Sequence, residues 1–380
     1  MSGGLGLKAV AVIFLVVFAG VFSALSVNRW MEARQAQASN VATRSEFAKD
    51  DGSSSPFDFT AAARRVMPSV VSIDTAMRGS GSVVIPTASG SGVVVQSDGY
   101  IVTNAHVVRN PRQRSTVVPV DILTVRTSDE RGYTAKVVGV DPVSDLAVIK
   151  VEAQNLVPAT FGDSSKIEVG DWVIAVGNQL GFDNSVSVGV ISSKNRWLDF
   201  TGDPVLIDAI QTDAAINRGN SGGALCNSKG EVIGINSSIA TLAGVSSGVG
   251  FAIPSAHVQR IINDLIDHGK VRYAVLGIEP TGPAFTLTDP QDRADLAKKS
   301  GTTDVPHSGV AVLRVFPGLP ASKAGIREYD VIREINGRPI ETNIDYIRAM
   351  MDEKPGDEAE IKVWSKGQEK TFKVKLAARG

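Results

Sequence analysis

The chain has 380 residues, 43% hydrophobic and 21% charged, with a formal net charge of -1. That length predicts two or three domains, and the balance excludes a disordered chain and lacks the basic excess expected of a nucleic-acid-binding protein. A single cysteine, Cys226, and four histidines without an HExxH pattern exclude an intrachain disulfide and a Cys-based zinc site and argue against a zinc enzyme, so no metal or other cofactor is expected.

Residues 9–27 are 19 consecutive uncharged positions between Lys8 and Arg29. A helix of that length spans a hydrocarbon core of ~30 Å and exceeds the ~7–15 apolar residues of a signal-peptide core. Trp30 stands where an interfacial aromatic belongs. An uncleaved anchor is therefore favoured over a signal cleaved near Ala24-Leu25-Ser26 or Ala36-Gln37-Ala38. Residues 28–56 are polar, small and aperiodic, and read as a flexible linker.

From Phe57 to Gly269 the pattern is β throughout. Runs such as Ser69–Ile73, Gly92–Val95, Asp121–Val125 and Leu146–Val151 alternate with turn residues and no helical period intervenes, which favours a barrel or sandwich over a parallel α/β sheet. The stretch Ala76–Ser89 reads as a short Gly/Ser-containing loop. One helix closes the region: Ser255 is a candidate N-cap, Val258, Ile261, Ile262 and Leu265 recur on one face, and Gly269 follows. A second unit, residues 271–380, has a strand at Val310–Phe316, a turn at Asn336-Gly337, a helix with Ile344, Ile347 and Met351 on one face, and strands at Glu360–Trp364 and Thr371–Leu376. Thr281–Pro306 reads as a polar insertion loop.

Gly219-Asn220-Ser221-Gly222-Gly223 is the sharpest local signal. Small residues around a serine permit a tight turn whose Gly219 and Ser221 N–H groups point at one spot, as in the oxyanion hole of acyl transfer. A serine nucleophile needs a base, and the base needs an orienting carboxylate. His106 is the only histidine before Ser221, and Asp145 opens an apolar strand between them. The order His, Asp, Ser is that of chymotrypsin-type double β-barrels. Gly219-x-Ser221-x-Gly223 also fits the nucleophile elbow of esterases and lipases, but that fold needs the order Ser, Asp, His, and neither His257 nor His307 is well placed. No GxxxxGK[ST] loop is present, in keeping with ATP independence.

Thr103–Val108, Ser144–Lys150, Gln211–Leu225 and Gly248–Pro254 resemble the catalytic blocks of the high-temperature-requirement (HtrA/Deg) serine proteases. The resemblance implies a mainly β fold: a chymotrypsin-like double β-barrel over residues 57–269. It makes His106 the general base, Asp145 its orienter and Ser221 the nucleophile, with the oxyanion hole at Gly219, Asn220 and Ser221. The P1 pocket floor falls at Ala215 with Ile216 beside it; without a carboxylate there, small aliphatic P1 residues are expected. Cys226, where the family has an aliphatic residue, reads as a small core hydrophobe.

Val275-Leu276-Gly277-Ile278 resembles the carboxylate-binding loop of a bacterial α+β PDZ domain, and Gly318–Ile326, Tyr329–Ile332 and Ile335–Gly337 follow in PDZ-like order. Backbone N–H groups there would capture the C-terminal carboxylate of a peptide added as a strand, such as the end of a misfolded envelope protein. One PDZ domain after an N-terminal anchor resembles the membrane-anchored, DegS-like branch. That implies a bacterial inner-membrane endopeptidase facing the periplasm and a homotrimer, for which Phe47, Phe57 and Phe59 are candidate contacts. Asn178–Ser187, with Gly181 as a soft point, is the loop expected to relay PDZ occupancy to the Arg218–Asn220 turn. A chaperone with minor protease activity is the competing function.

Overall fold

The computed structural model describes residues 57–80, 82–111, 119–177, 185–198, 206–237, 248–282 and 285–379. The expected anchor 9–27, the linker 28–56, Phe47, and most of the expected relay loop including Gly181 lie outside these residues. Among the described residues no helix is long and apolar enough to cross a membrane.

A helix α1 (Phe59–Val66), which the β-dominated pattern hides, opens the described chain, its N-terminus capped by Asp58 accepting from the Ala61 N–H. Two closed six-stranded antiparallel barrels follow. The first comprises β1 (Val70–Arg78), β2 (Val84–Val94), β3 (Tyr100–Asn104), β4 (Ile122–Arg126), β5 (Gly132–Asp141) and β6 (Leu146–Val151), with a one-turn helix α2 (Ala105–Val108) after β3. The second comprises β7 (Trp172–Gly177), β8 (Ser185–Leu198), β9 (Leu206–Thr212), β10 (Ala224–Asn227), β11 (Val232–Ser237) and β12 (Gly250–Pro254).

The two-residue side-chain period explains why β6 is apolar along its whole length. Leu146 and Val148 join a core shared with Ile174, Val176 and Cys226 of the second barrel, whereas Ala147, Ile149 and Val151 fill the first barrel's interior. Each buried Val, Leu or Ile contributes about 1.5–3 kcal/mol relative to exposure. The same shared core receives Val258, Ile261, Ile262 and Leu265 of α3 (Ser255–His268), which ends at Gly269 with φ 70° and its N–H on Leu265 O.

Three expectations are corrected here. Ala76–Ser89 is no loop: β1 and β2 continue as a hairpin to the pair Arg78–Val84, with a register shift between Thr75 and Ala76 beside Pro86, which has no N–H to give the ladder. Ser255 is the first helical residue and no cap, because its hydroxyl donates to Gly162 O at 2.7 Å. Thr281–Pro306 contains a helix α4 (Pro290–Ser300) with Asp289 as N-cap, Pro290 in its first turn and Gly301 left-handed at its end. Only Leu296 of that helix is buried, so it has start and stop signals without an apolar period.

The C-terminal unit adds β13 (Ala274–Val275), β14 (Ile278–Pro280), β15 (Val310–Val315), β16 (Val331–Ile335), β17 (Arg338–Pro339), β18 (Glu358–Ser365), β19 (Gln368–Lys375) and β20 (Ala377–Ala378). Helices α5 (Pro320–Ala324) and α6 (Asn343–Asp352) complete it. In the main sheet the order β14-β15-β16-β18-β19 leaves β14 as an edge strand, and β13 pairs separately with β20. The Asn336-Gly337 turn has positive φ at both residues, as a two-residue hairpin requires.

Candidate active site

His106 is carried by α2, whose single turn is pinned by buried Val107 and Val108. Asp145 immediately precedes β6 at φ 59°, a left-handed conformation that aspartate tolerates. Its main-chain oxygen accepts the Ala105 N–H (2.9 Å) and the Asn104 amide (3.1 Å), which seats α2 against it. Its carboxylate is fully buried and accepts the His106 backbone N–H (3.0 Å), His106 Nδ1 (2.8 Å to Oδ2) and the Ser237 hydroxyl (3.3 Å). A carboxylate facing Nδ1 can only accept, so that nitrogen carries the hydrogen and Nε2 is left as the basic nitrogen.

Ser221 follows a loop clamped by its own neighbour. The buried Asn220 side chain accepts from Asn217 N at 3.0 Å and donates to Ala215 O at 3.0 Å. Gly219 sits at φ 104°, and its carbonyl accepts the Ser91 hydroxyl of β2 at 2.7 Å, while the Ser91 N–H donates to Ser221 O at 2.8 Å. The first barrel thus grips the Ser221 loop of the second on both sides of Asn220. A Cβ at Gly222 would lie 2.2 Å from Ser91 O, and one at Gly223 2.3 Å from Val176 O, so this close approach is why glycines follow the serine.

His106, Ser221, Gly219 and Arg218 line one cavity of about 420 Å³, with Thr87, Ala88 and Ser89 of β2 on its far wall. Sequence reasoning missed that wall because those residues read as loop. Ala215 is half-buried and accepts at its carbonyl from Asn220 and Ser187 (3.0 Å each). Ile216 is fully buried in the second barrel's interior, and neither Ala215 nor Ile216 lines the cavity. His257 faces Asp208 from α3 and His307 is exposed on the C-terminal unit; neither lines the cavity. Cys226 is fully buried and burial pushes its thiol far up, away from any thiolate role.

A second cavity, about 390 Å³ and largely apolar in its side chains, lies between β14 and α6. Val275, Leu276, Gly277 and Ile278 all line it. Gly277 has φ 83°, its carbonyl takes the Phe316 N–H at 3.0 Å, and Leu276 O takes the Ala321 N–H at 2.8 Å, so the loop is held by its carbonyls. The opposite wall is Tyr346, Ile347, Met350 and Met351 of α6, with Phe316 and Leu319 at one end. The periodicity of Ile347 and Met351 is visible in sequence as a helix face, but nothing there separates a core face from a groove wall. Val143 of the first barrel and Tyr273 also reach this cavity.

A trypsin-like peptidase domain family matches residues 90–235 and a PDZ domain family residues 282–376. A probable periplasmic serine endoprotease, DegP-like, of Marinomonas sp. (strain MWYL1) is 40% identical over 292 residues, covering 76% of this chain and 57% of the relative. The corresponding protein of Chlamydia muridarum (strain MoPn / Nigg) is 42% identical over 283 residues, 73% of this chain and 52% of its own. This chain therefore spans about half the length of the curated relatives it matches. Among solved structures, an HtrA-type protease AlgW with tripeptide superposes with a TM-score of 0.69 at 32% identity, over 85% of this chain and 98% of that one. A serine endoprotease from Yersinia pestis gives 0.61 at 29% identity over 86% and 100%.

Proposed function

The chain belongs to the HtrA-type serine proteases, and from that premise we propose that it is an ATP-independent serine endopeptidase of the cell envelope, cleaving unfolded or regulatory proteins after small aliphatic residues under the control of C-terminal peptides. One observation carries the reading: a buried Asp145 holds His106 by Nδ1 at 2.8 Å in a cleft that also contains Ser221. Nε2 of His106 takes the proton of Ser221 Oγ as that oxygen attacks the scissile carbonyl. The N–H groups of Gly219 and Ser221, set by the Asn220 clamp, receive the developing oxyanion. The imidazolium then protonates the leaving amine, and a water deacylates the serine by the same route in reverse.

Ala215 near the loop base offers no carboxylate to a basic P1 residue, which supports small apolar P1 side chains. In the C-terminal unit, taken as a PDZ domain over residues 271–380 after a protease domain over 57–269, the unpaired edge of β14 accepts an added strand. The apolar cavity beside Gly277 suits the peptide's last side chain, and the AlgW structure with tripeptide supports peptide binding in general. The relatives' periplasmic names support an envelope location, with residues 9–27 as membrane anchor. The contacts of Phe57 and Phe59 with Trp172, 6.1 and 5.4 Å between ring centroids and partly exposed, support a homotrimer contact at this face.

The test is fluorophosphonate labelling of the purified chain and of Ser221→Ala, with and without short C-terminal peptides. Labelling of the parent alone, faster with peptide, is expected. A Ser221→Ala chain that still cleaves a reporter substrate within about tenfold of the parent would overturn the assignment.

A further inference from the structure

Asp141 ends β5, is 3% exposed, and does not line the cleft that holds Ser221. Its carboxylate nevertheless gathers four donors. From its own turn it accepts the N–H groups of Val143 (3.3 Å) and Ser144 (3.0 Å) and the Ser144 hydroxyl (2.5 Å). From the segment that links α3 to the C-terminal unit it accepts the Tyr273 hydroxyl at 2.6 Å. Burial, then the neighbouring Asp141, pushes the Tyr273 phenol far up, so the hydroxyl is a donor at any physiological pH.

The residue after Ser144 is Asp145, whose main-chain oxygen seats α2 and whose carboxylate orients His106. The turn from 141 to 145 is therefore closed at one end by the Asp141 carboxylate and at the other by the catalytic dyad. Its other surface faces the second cavity: Val143 lines the peptide groove, and so does the Tyr273 ring. The linker is pressed onto β5 as well, since a Cβ at Gly139 would lie 2.6 Å from Gly269 O. A side chain seated in the groove packs on the same two residues that fix the turn.

We propose that Asp141 is a positioning residue for Asp145, and that the Tyr273 hydroxyl makes this hold depend on what occupies the groove; the inference rests on the serine-protease reading above. A peptide against Val143 and the Tyr273 ring keeps the hydroxyl on Asp141 and the turn closed. Without it the ring can swing and the turn loosens at Asp145, which lowers turnover with little effect on substrate binding.

The experiment uses the full chain, a reporter substrate and a fluorescent decapeptide ending in leucine with a free carboxylate. Tyr273→Phe removes one oxygen and keeps the ring in the groove wall. It is expected to bind the decapeptide within about twofold of the parent, to keep its melting temperature, and to show kcat about tenfold lower at unchanged KM, with peptide stimulation reduced to less than about twofold. Asp141→Asn should lower kcat at least as far; where that variant does not fold, Tyr273→Phe alone decides. Parental kcat and stimulation in Tyr273→Phe would overturn the proposal. A parent that cleaves without responding to the peptide would overturn the Tyr273 half, whereas cleavage by Ser221→Ala would sink the underlying protease reading instead.

Discussion

The Ser91 hydroxyl donates to the Gly219 carbonyl at 2.7 Å, a buried bond that ties β2 of the first barrel to the Ser221 loop of the second. The cleft lies where the barrels meet, so this bond fixes the residue whose N–H is proposed above to receive the oxyanion. Ser91→Ala leaves a buried carbonyl without that donor, a loss of about 1–3 kcal/mol. If most of it falls on the transition state, kcat drops about tenfold or more with KM little changed. Steady-state kinetics check this, and parental kcat would show that the bond serves stability alone.

Asp145→Asn separates orientation from fold. Asparagine tolerates the φ of 59°, and the bonds that seat α2 go to the main-chain oxygen, so the fold should survive. An amide NH₂ turned toward Nδ1 moves the imidazole hydrogen to Nε2, which can then no longer accept the serine proton. A loss of kcat on the order of 10⁴ is expected with unchanged circular dichroism. Activity within about tenfold of the parent would remove Asp145 from the mechanism.

What the sequence carried depended on how local each feature is. The His106, Asp145 and Ser221 positions follow from motif and order, and β6 from its apolar run, because those features are written in contiguous residues. The wall at Thr87–Ser89, the Ser91 bond and the Asp141–Tyr273 bond join segments many residues apart, and no local pattern predicts their partners. Ala215 and Ile216 show the opposite failure: motif spacing placed both in the pocket, yet neither lines the cleft that holds Ser221, and Ile216 is buried in the second barrel's interior. Helix α4 was missed because a nearly solvated helix has caps and no apolar stripe.

His257 gives a pH dependence with a definite sign. Burial, the largest influence, lowers its pKa; Asp208 opposes this from 3.9 Å and Arg260 and Arg348 reinforce it. The fold therefore favours the neutral ring, and the stability this contributes is present above the unfolded value of about 6.5 and lost as pH falls through the lower folded value. The melting temperature of the parent should fall more steeply below about pH 6.5 than that of His257→Gln. Parallel curves would mean that the ring does not titrate against the fold.

Helix α6 faces two ways. Tyr346, Ile347 and Met350 line the apolar cavity beside β14, while Arg348 reaches the protease unit, with Nε 2.5 Å from Asp208 Oδ1 and Nη2 3.3 Å from Asn195 O. Exposed ion pairs contribute ~0–1 kcal/mol, but this one is partly buried and includes a bond to a main-chain carbonyl, which places it toward or somewhat above the upper end. Asp208 sits at φ 56°, so the substitution that tests the pair without adding backbone strain is Asp208→Asn. A cycle of Arg348→Gln, Asp208→Asn and the double variant, followed by denaturant unfolding, is expected to give a coupling of about 1 kcal/mol. Both single variants should also speed proteolytic cleavage of the segment between Gly269 and Tyr273, because the seat of α6 on the barrel is loosened. Additive energies with unchanged cleavage would mean that the ion pair does not hold the two units together, and that packing around Tyr273 and Val143 carries the junction.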